Sequence, residues 1–156
     1  MRSFTDVSEA LVAAGLPHEI IHLPSSSRTA QLAADALGVA VPDVVKSLVF
    51  LADGRAVVTL VPGDATVDTL ALARELGVHE VTLARGREVR EWTGYKPGAV
   101  PPVGLATALP VVADPGVFVP EVVYCGGGTS TAVLRARSAG LKALVAPRRV
   151  AIGSRS

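Results

Sequence analysis

Val44-Val45-Lys46-Ser47-Leu48-Val49-Phe50-Leu51 and Ala56-Val57-Val58-Thr59-Leu60-Val61 are two apolar, β-branched runs with Asp53-Gly54 between them. An Asp-Gly pair flanked by such runs is a strong short-range signal for a β-hairpin, because both residues tolerate the positive φ that a tight turn needs. Pro62-Gly63-Asp64 then turns the chain away. Alternation puts Lys46 on one face with Val44, Leu48 and Phe50, all apolar. A single ammonium there either reaches solvent at a sheet edge or sits in a cavity. In a cavity it must be paired or its pKa falls, and a polar ligand or a phosphate can supply the pairing.

Working outward, residues 6–15 read as a short helix started by Asp6 and ended by Gly15. Residues 19–23 read as a strand stopped by Pro24, and about 29–37 as a helix capped by Thr29. Beyond the hairpin, a helix is expected at about 67–76, with Leu70, Leu72, Ala73 and Leu76 on its core side. A short strand at 80–84 and a polar helix at 85–92 follow. Residues 110–114, 121–125 and 131–136 read as strands, and Ser138 is expected to cap a last helix at about 139–145. Residues 147–152 suit a short strand, and 153–156 a tail. One hairpin with several helical crossovers gives an α+β (mixed α/β) class. A mostly antiparallel or mixed curved sheet, or a partial barrel, is flanked by helices. Residues 1–156 are expected to form one domain.

Composition narrows the function. Hydrophobic residues make up 49% and charged residues 19% of the chain, which suits a packed core and not a disordered tail. Net charge is +1, so no bulk basicity advertises nucleic acid. The single cysteine excludes a disulfide framework and any multi-cysteine zinc site. The three histidines, His18, His22 and His79, are scattered and read as surface or structural. No apolar run reaches a membrane span or a secretory leader, so a soluble cytoplasmic protein is expected. The size and apolar content permit a homodimer.

Three further features can carry chemistry. Residues 94–104 hold Gly94, Gly98, Gly104, Pro97, Pro101 and Pro102. Prolines fix φ and glycines release it, so this is a shaped, rigid loop. It is either a structural turn or a wall that lets a ligand approach backbone N–H groups. Gly126-Gly127-Gly128-Thr129-Ser130-Thr131 follows a strand but matches neither a P-loop nor a dinucleotide fingerprint; a bulged turn is the plain alternative. Arg85, Arg87 and Arg90, and separately Arg148 and Arg149, are two candidate phosphate contacts, or solvated faces. Cys125 has no histidine pattern to activate it and reads as buried and inert. No Ser-His-Asp arrangement stands out.

Taken in order, these pieces resemble the YbaK/EbsC family, aminoacyl-tRNA editing domains related to the insertion domain of bacterial prolyl-tRNA synthetase. The resemblance runs over about residues 20–150. It rests on Val45-Lys46-Ser47-Leu48, Val61-Pro62-Gly63-Asp64, Thr93-Gly94-Tyr95-Lys96-Pro97-Gly98 with Pro101-Pro102-Val103-Gly104, Val112-Ala113-Asp114, and the Gly126–Gly128 turn.

The resemblance implies a trans-acting deacylase that hydrolyses the ester of a mischarged tRNA carrying a small amino acid, with no metal or organic cofactor. It implies catalytic roles for Lys46 and Gly98. It implies substrate binding by Thr29, Tyr95, Pro101, Pro102, Gly126, Gly127, Gly128 and Thr129. The implied partners are the tRNA acceptor end and an aminoacyl-tRNA synthetase. Some cysteine-editing members carry a serine near the glycine turn, where this chain has Cys125 and Gly126. Arg and Lys side chains are expected to cluster on the rim of the Lys46 pocket. A non-catalytic tRNA- or synthetase-binding module of the same fold is the competing reading, and a small-molecule esterase or thioesterase a third.

Overall fold

The structure is a computed structural model and describes residues 1–27 and 29–155. The hairpin forms where the sequence places it. β2 (Val45–Ala52) pairs antiparallel with β3 (Arg55–Pro62) in unbroken register from Val45↔Pro62 to Ala52↔Arg55. Asp53 and Gly54 make the turn with φ of 47° and 85°. Both central residues in the left-handed region mark the hairpin turn whose twist matches its strands.

This hairpin is the middle of a five-stranded sheet with order β5-β2-β3-β6-β9. β5 (Val81–Leu83) joins β2 antiparallel; β6 (Val111–Ala113) joins β3 parallel, and β9 (Arg148–Arg149) joins β6 parallel. A second, antiparallel sheet has order β1-β8-β7, from His18–His22, Ala132–Arg137 and Val122–Gly126. The two sheets meet at one isolated parallel bridge, Val44↔Tyr124. A short pair, β4 (Thr66–Val67) with β10 (Gly153–Ser154), stands apart. Among the described residues, five α-helices flank these sheets: α1 Phe4–Ala13, α2 Ala30–Leu37, α3 Thr69–Leu76, α4 Gly86–Thr93 and α5 Ser138–Val145. The α+β class with mixed, largely antiparallel sheets is as expected, and no sheet closes on itself.

Two apolar cores lie on opposite faces of the hairpin, as strand alternation dictates. One gathers Val45, Val49, Tyr95, Val100, Val123, Cys125 and Leu134; the other gathers Phe50, Val57, Val61, Leu72, Val112 and Ile152.

Local departures from expectation have local causes. α1 starts earlier than Asp6, because Ser3 is its cap. Ser3 Oγ accepts from Thr5 N, while Asp6 sits in the first turn and its Oδ2 accepts from Ser3 N at 2.9 Å. Leu70 is 75% exposed and not in the core; Asp68 caps α3 and places Leu70 in the outward first turn, leaving Leu72 to be buried. Ser138 does not cap α5. It is the first helical residue, and its hydroxyl donates to the carbonyls of Pro120 and Glu121. The expected tail at 153–156 is pinned at Gly153–Ser154, where Gly153 N donates to Asp114 Oδ1 at 2.9 Å.

The glycine–proline loop is internally braced. Tyr95 is fully buried and its hydroxyl donates to Gly104 O at 2.6 Å, tying the loop's two ends. Thr93 Oγ1 accepts from Tyr95 N at 3.1 Å. The Tyr95→Phe variant removes this donor and leaves Gly104 O only the longer bond from Arg2 Nη1 at 3.3 Å, an expected loss of about 1–1.5 kcal/mol. Thermal unfolding should show the midpoint lowered by roughly 3–6 °C; an unchanged midpoint would show that the loop does not depend on this strut.

Candidate active site

A cleft of about 450 Å³ opens where the two sheets part. One wall is α2 with the residues before it, contributing Ser27, Thr29, Ala30, Gln31 and Ala33. The floor is the beginning of β2, Val44 to Leu48, with Gly63 beside it. The far wall is Gly98 and Val100 of the braced loop, the end of β7 and the start of β8. The N-cap of α2 is Thr29, whose Oγ1 accepts from Leu32 N at 3.1 Å. α2 also lies close to the turn after β3, where a Cβ on Gly63 would come within 2.9 Å of Ala30 Cβ. A glycine is required there for the helix to close the cleft.

Of the residues singled out in the sequence, the structure brings four together in the cleft: Lys46, Gly98, Thr29 and Gly126. The other six lie behind its walls. Tyr95 is the buried strut already described, and Pro101 and Pro102 are buried in the same loop. The N–H groups of Gly127 and Gly128 are already donated, to Ala132 O at 3.1 Å and Ala99 O at 2.9 Å. Thr129 Oγ1 accepts from Phe4 N at 3.2 Å, on the far side against α1. The glycine run is therefore a packing device. A Cβ on Gly126 would run into the Val100 carbonyl, so the absence of a side chain lets the loop lie directly on β7.

Lys46 is half-buried, and desolvation holds its pKa below the usual lysine value of 10.5, opposed by the nearby Asp64 carboxylate. Asp64 is engaged elsewhere. Its two oxygens accept from Arg155, Nε to Oδ2 at 2.8 Å and Nη2 to Oδ1 at 3.1 Å. That guanidinium is the main reason the Asp64 pKa is lowered. Among the described residues no carboxylate closes an ion pair with Lys46. The ammonium is thus a poorly compensated positive charge facing the cleft. It is also the one charged side chain among the described lining residues, which supply no further Arg or Lys and no carboxylate.

Cys125 faces the cleft but is buried, and burial pushes its thiol up to about 12. It is protonated at neutral pH and no nucleophile. Among the described residues no group of three His, Cys, Asp or Glu is placed to hold a metal ion.

Ser47 carries a signal that the sequence reading passed over. Its Oγ is buried with no hydrogen-bond partner among the described residues. Its backbone faces the cleft as well. Val49 O accepts from Ala84 N on the β5 side, whereas Val44 O accepts from Gly63 N on the β3 side. Alternation then directs the Ser47 N–H and C=O to the open edge. Lys46 and Ser47 are consecutive polar residues on opposite, otherwise apolar faces of one strand, and that juxtaposition was readable.

A family model described as aminoacyl-tRNA editing domain matches residues 24–144. The chain belongs to this family. Among curated relatives, the proline–tRNA ligase of Geobacter sp. (strain M21) is 40% identical over 98 residues, 63% of this chain and 17% of the ligase. The proline–tRNA ligase of Bacillus licheniformis is 37% identical over 94 residues, 60% of this chain and 16% of the ligase. This editing domain thus spans about a sixth of the length of those relatives. A solved structure of a candidate trans-editing enzyme for prolyl tRNA synthetase superposes with a TM-score of 0.90 at 36% identity, covering 97% of this chain and 96% of that one. No helix among the described residues is long and apolar enough to cross a membrane.

An unmet buried hydroxyl costs folding free energy, about 1–3 kcal/mol when fully enclosed. Ser47→Ala is therefore expected to raise the unfolding midpoint by a few degrees, read by calorimetry. A lowered midpoint would mean the hydroxyl is already satisfied. Lys46 titrates in the opposite sense to a stabilising pair. Its folded pKa lies below the unfolded one, so the unfolded chain holds the proton longer, and stability from this group rises with pH through the window below 10.5. Comparison of wild type and Lys46→Met by denaturant titration across that window checks the sign.

Proposed function

We propose that this domain is a trans-acting aminoacyl-tRNA deacylase acting on tRNAs mischarged with a small amino acid. The observation that carries the reading is the uncompensated, half-buried Lys46 ammonium on the floor of a cleft of about 450 Å³, in a chain that matches a free-standing family member over nearly its whole length. An anion arriving there supplies the counter-charge that Asp64, held by Arg155, supplies only in part. The terminal phosphate of the tRNA acceptor end is of that chemistry, and a ribose hydroxyl can accept a hydrogen bond from the same ammonium.

The reaction asks little of the protein. An aminoacyl ester is already activated. A water adds to its carbonyl and gives up a proton, the ester C–O bond breaks, and the ribose oxygen takes up a proton as it leaves. The protein positions the ester and stabilises the developing oxyanion through N–H groups and the Lys46 charge. The buried, protonated Cys125 fits that economy, as does a described lining without His, Asp or Glu. Specificity comes from size. Ala30, Ala33, Val45 and Ala132 leave room for a small side chain, and larger cognate amino acids are excluded by clash. The partners are a tRNA and, through it, an aminoacyl-tRNA synthetase; the setting is the cytoplasm.

The test is a deacylation screen with tRNAs charged with Ala, Ser, Thr or Cys. Selective ester loss is expected, falling about 100-fold in Lys46→Ala with the unfolding midpoint kept. Gly98→Ala should lose both turnover and some stability, since Gly98 has φ of 82° and a side chain there is strained. Binding of tRNA with no ester loss on any charged species would assign the chain to a non-catalytic binding module instead.

A further inference from the structure

The net charge of +1 hides a segregation. No Asp or Glu follows Glu121, while six of the 15 cations do: Arg135, Arg137, Lys142, Arg148, Arg149 and Arg155. Residues 1–121 hold the other nine cations against all 14 acids. The molecule is acidic in its first four-fifths and wholly basic in its last.

The fold gathers four of those cations around α5. Arg135 and Arg137, at the end of β8, line a hollow of about 370 Å³ at the start of the helix. Lys142 and Arg149 line a second of about 490 Å³ along it, and Ala139 borders both. Arg135 and Arg149 are exposed, and neither closes an ion pair among the described residues. Lys142 lies 5.9 Å over the Phe118 ring. Two acids face this surface. Glu121 holds Arg137 at 2.7 Å, and Glu19 sits across from Arg135 in the β1–β8 register without reaching it. The cations outnumber them.

One strand links this face to the cleft. β8 begins in the cleft wall at Ala132 and Val133 and ends at Arg137, roughly 17 Å further on at the usual rise per strand residue. A chain whose end is seated at Lys46 and whose phosphates repeat at short intervals would pass along it. Among the described residues lining the cleft, Lys46 is the one cation such a chain would meet.

We propose that the α5 face, centred on Arg135 and Arg149, docks the phosphate backbone of the RNA whose 3′ end enters the cleft. The proposal rests on the deacylase reading for its substrate. Phosphate contacts position without reading sequence, so this face supplies affinity and register while the cleft supplies selection. Guanidinium groups flanking a hollow suit that role, since they present paired donors to phosphate oxygens.

The test compares wild type with Arg135→Glu/Arg149→Glu and with a charge-matched control, Arg55→Glu/Arg74→Glu, at the exposed start of β3 and on α3. Affinity for uncharged tRNA is measured across a salt series, and deacylation of mischarged tRNA under steady-state conditions. The α5-face variant is expected to bind about 10-fold more weakly, with the slope of log affinity against log salt reduced by about 2. Its KM should rise while kcat is kept, and the control should stay close to wild type. Equal losses in both variants, or an unchanged salt slope, would overturn the proposal. So would weakened binding of a synthetase with tRNA affinity intact, which would give the face to a protein partner. Failure of the deacylase reading looks different: wild type binds tRNA through this face and releases no amino acid.

Discussion

The parallel bridge between Val44 and Tyr124 is the contact on which the site depends. It brings the edge of the three-stranded sheet to the start of β2, and the sheets diverge on leaving it. Val44 holds the hairpin end as well, since its carbonyl accepts from Gly63 N at 2.7 Å. The wedge between the sheets is covered by α2 on one side and by the braced loop on the other. Between that bridge and the first pairing with β5, the β2 edge is open at Ser47. A binding site arises here because two sheets are joined at a point and not along a seam.

What was legible in the sequence divides along physical lines. The hairpin was legible because Asp53-Gly54 and two β-branched runs report local geometry. Lys46 was legible because one charge on an apolar strand face is costly unless something uses it. Residues such as Leu70 misled because periodicity gives a stripe and the cap sets where the stripe begins. The glycine–proline loop and the glycine run were correctly seen as shaped. Shape does not say which side meets a ligand, however. Tyr95, Pro101, Pro102, Gly127, Gly128 and Thr129 support the walls from behind, whereas Gly98, Val100 and Gly126 face the cleft. The pairing of Gly153–Ser154 with Thr66–Val67 needed a long-range contact that no local signal encodes.

The site's electrostatics follow from an unequal sharing of Asp64. Its carboxylate is gripped on both oxygens by Arg155, an exposed guanidinium with a planar fork, and only its residual field reaches Lys46. The lysine is close enough to an acid to remain charged in a half-buried place, yet free enough to accept another anion. A direct Lys46–Asp64 ion pair would have closed the floor of the cleft.

The walls of the cleft also differ in what mutation can do to them. The β7 and loop side is backbone against backbone: Gly126 lies on the Val100 carbonyl, and any side chain there collides. The α2 side is built from side chains, Ala30 and Ala33 among them, on a short helix of eight residues. Evolution can therefore resize this cavity more freely from the helix side. Divergence in what such domains accept should be written in the helix and in β2, while the opposite wall keeps its outline where main chain lies on main chain.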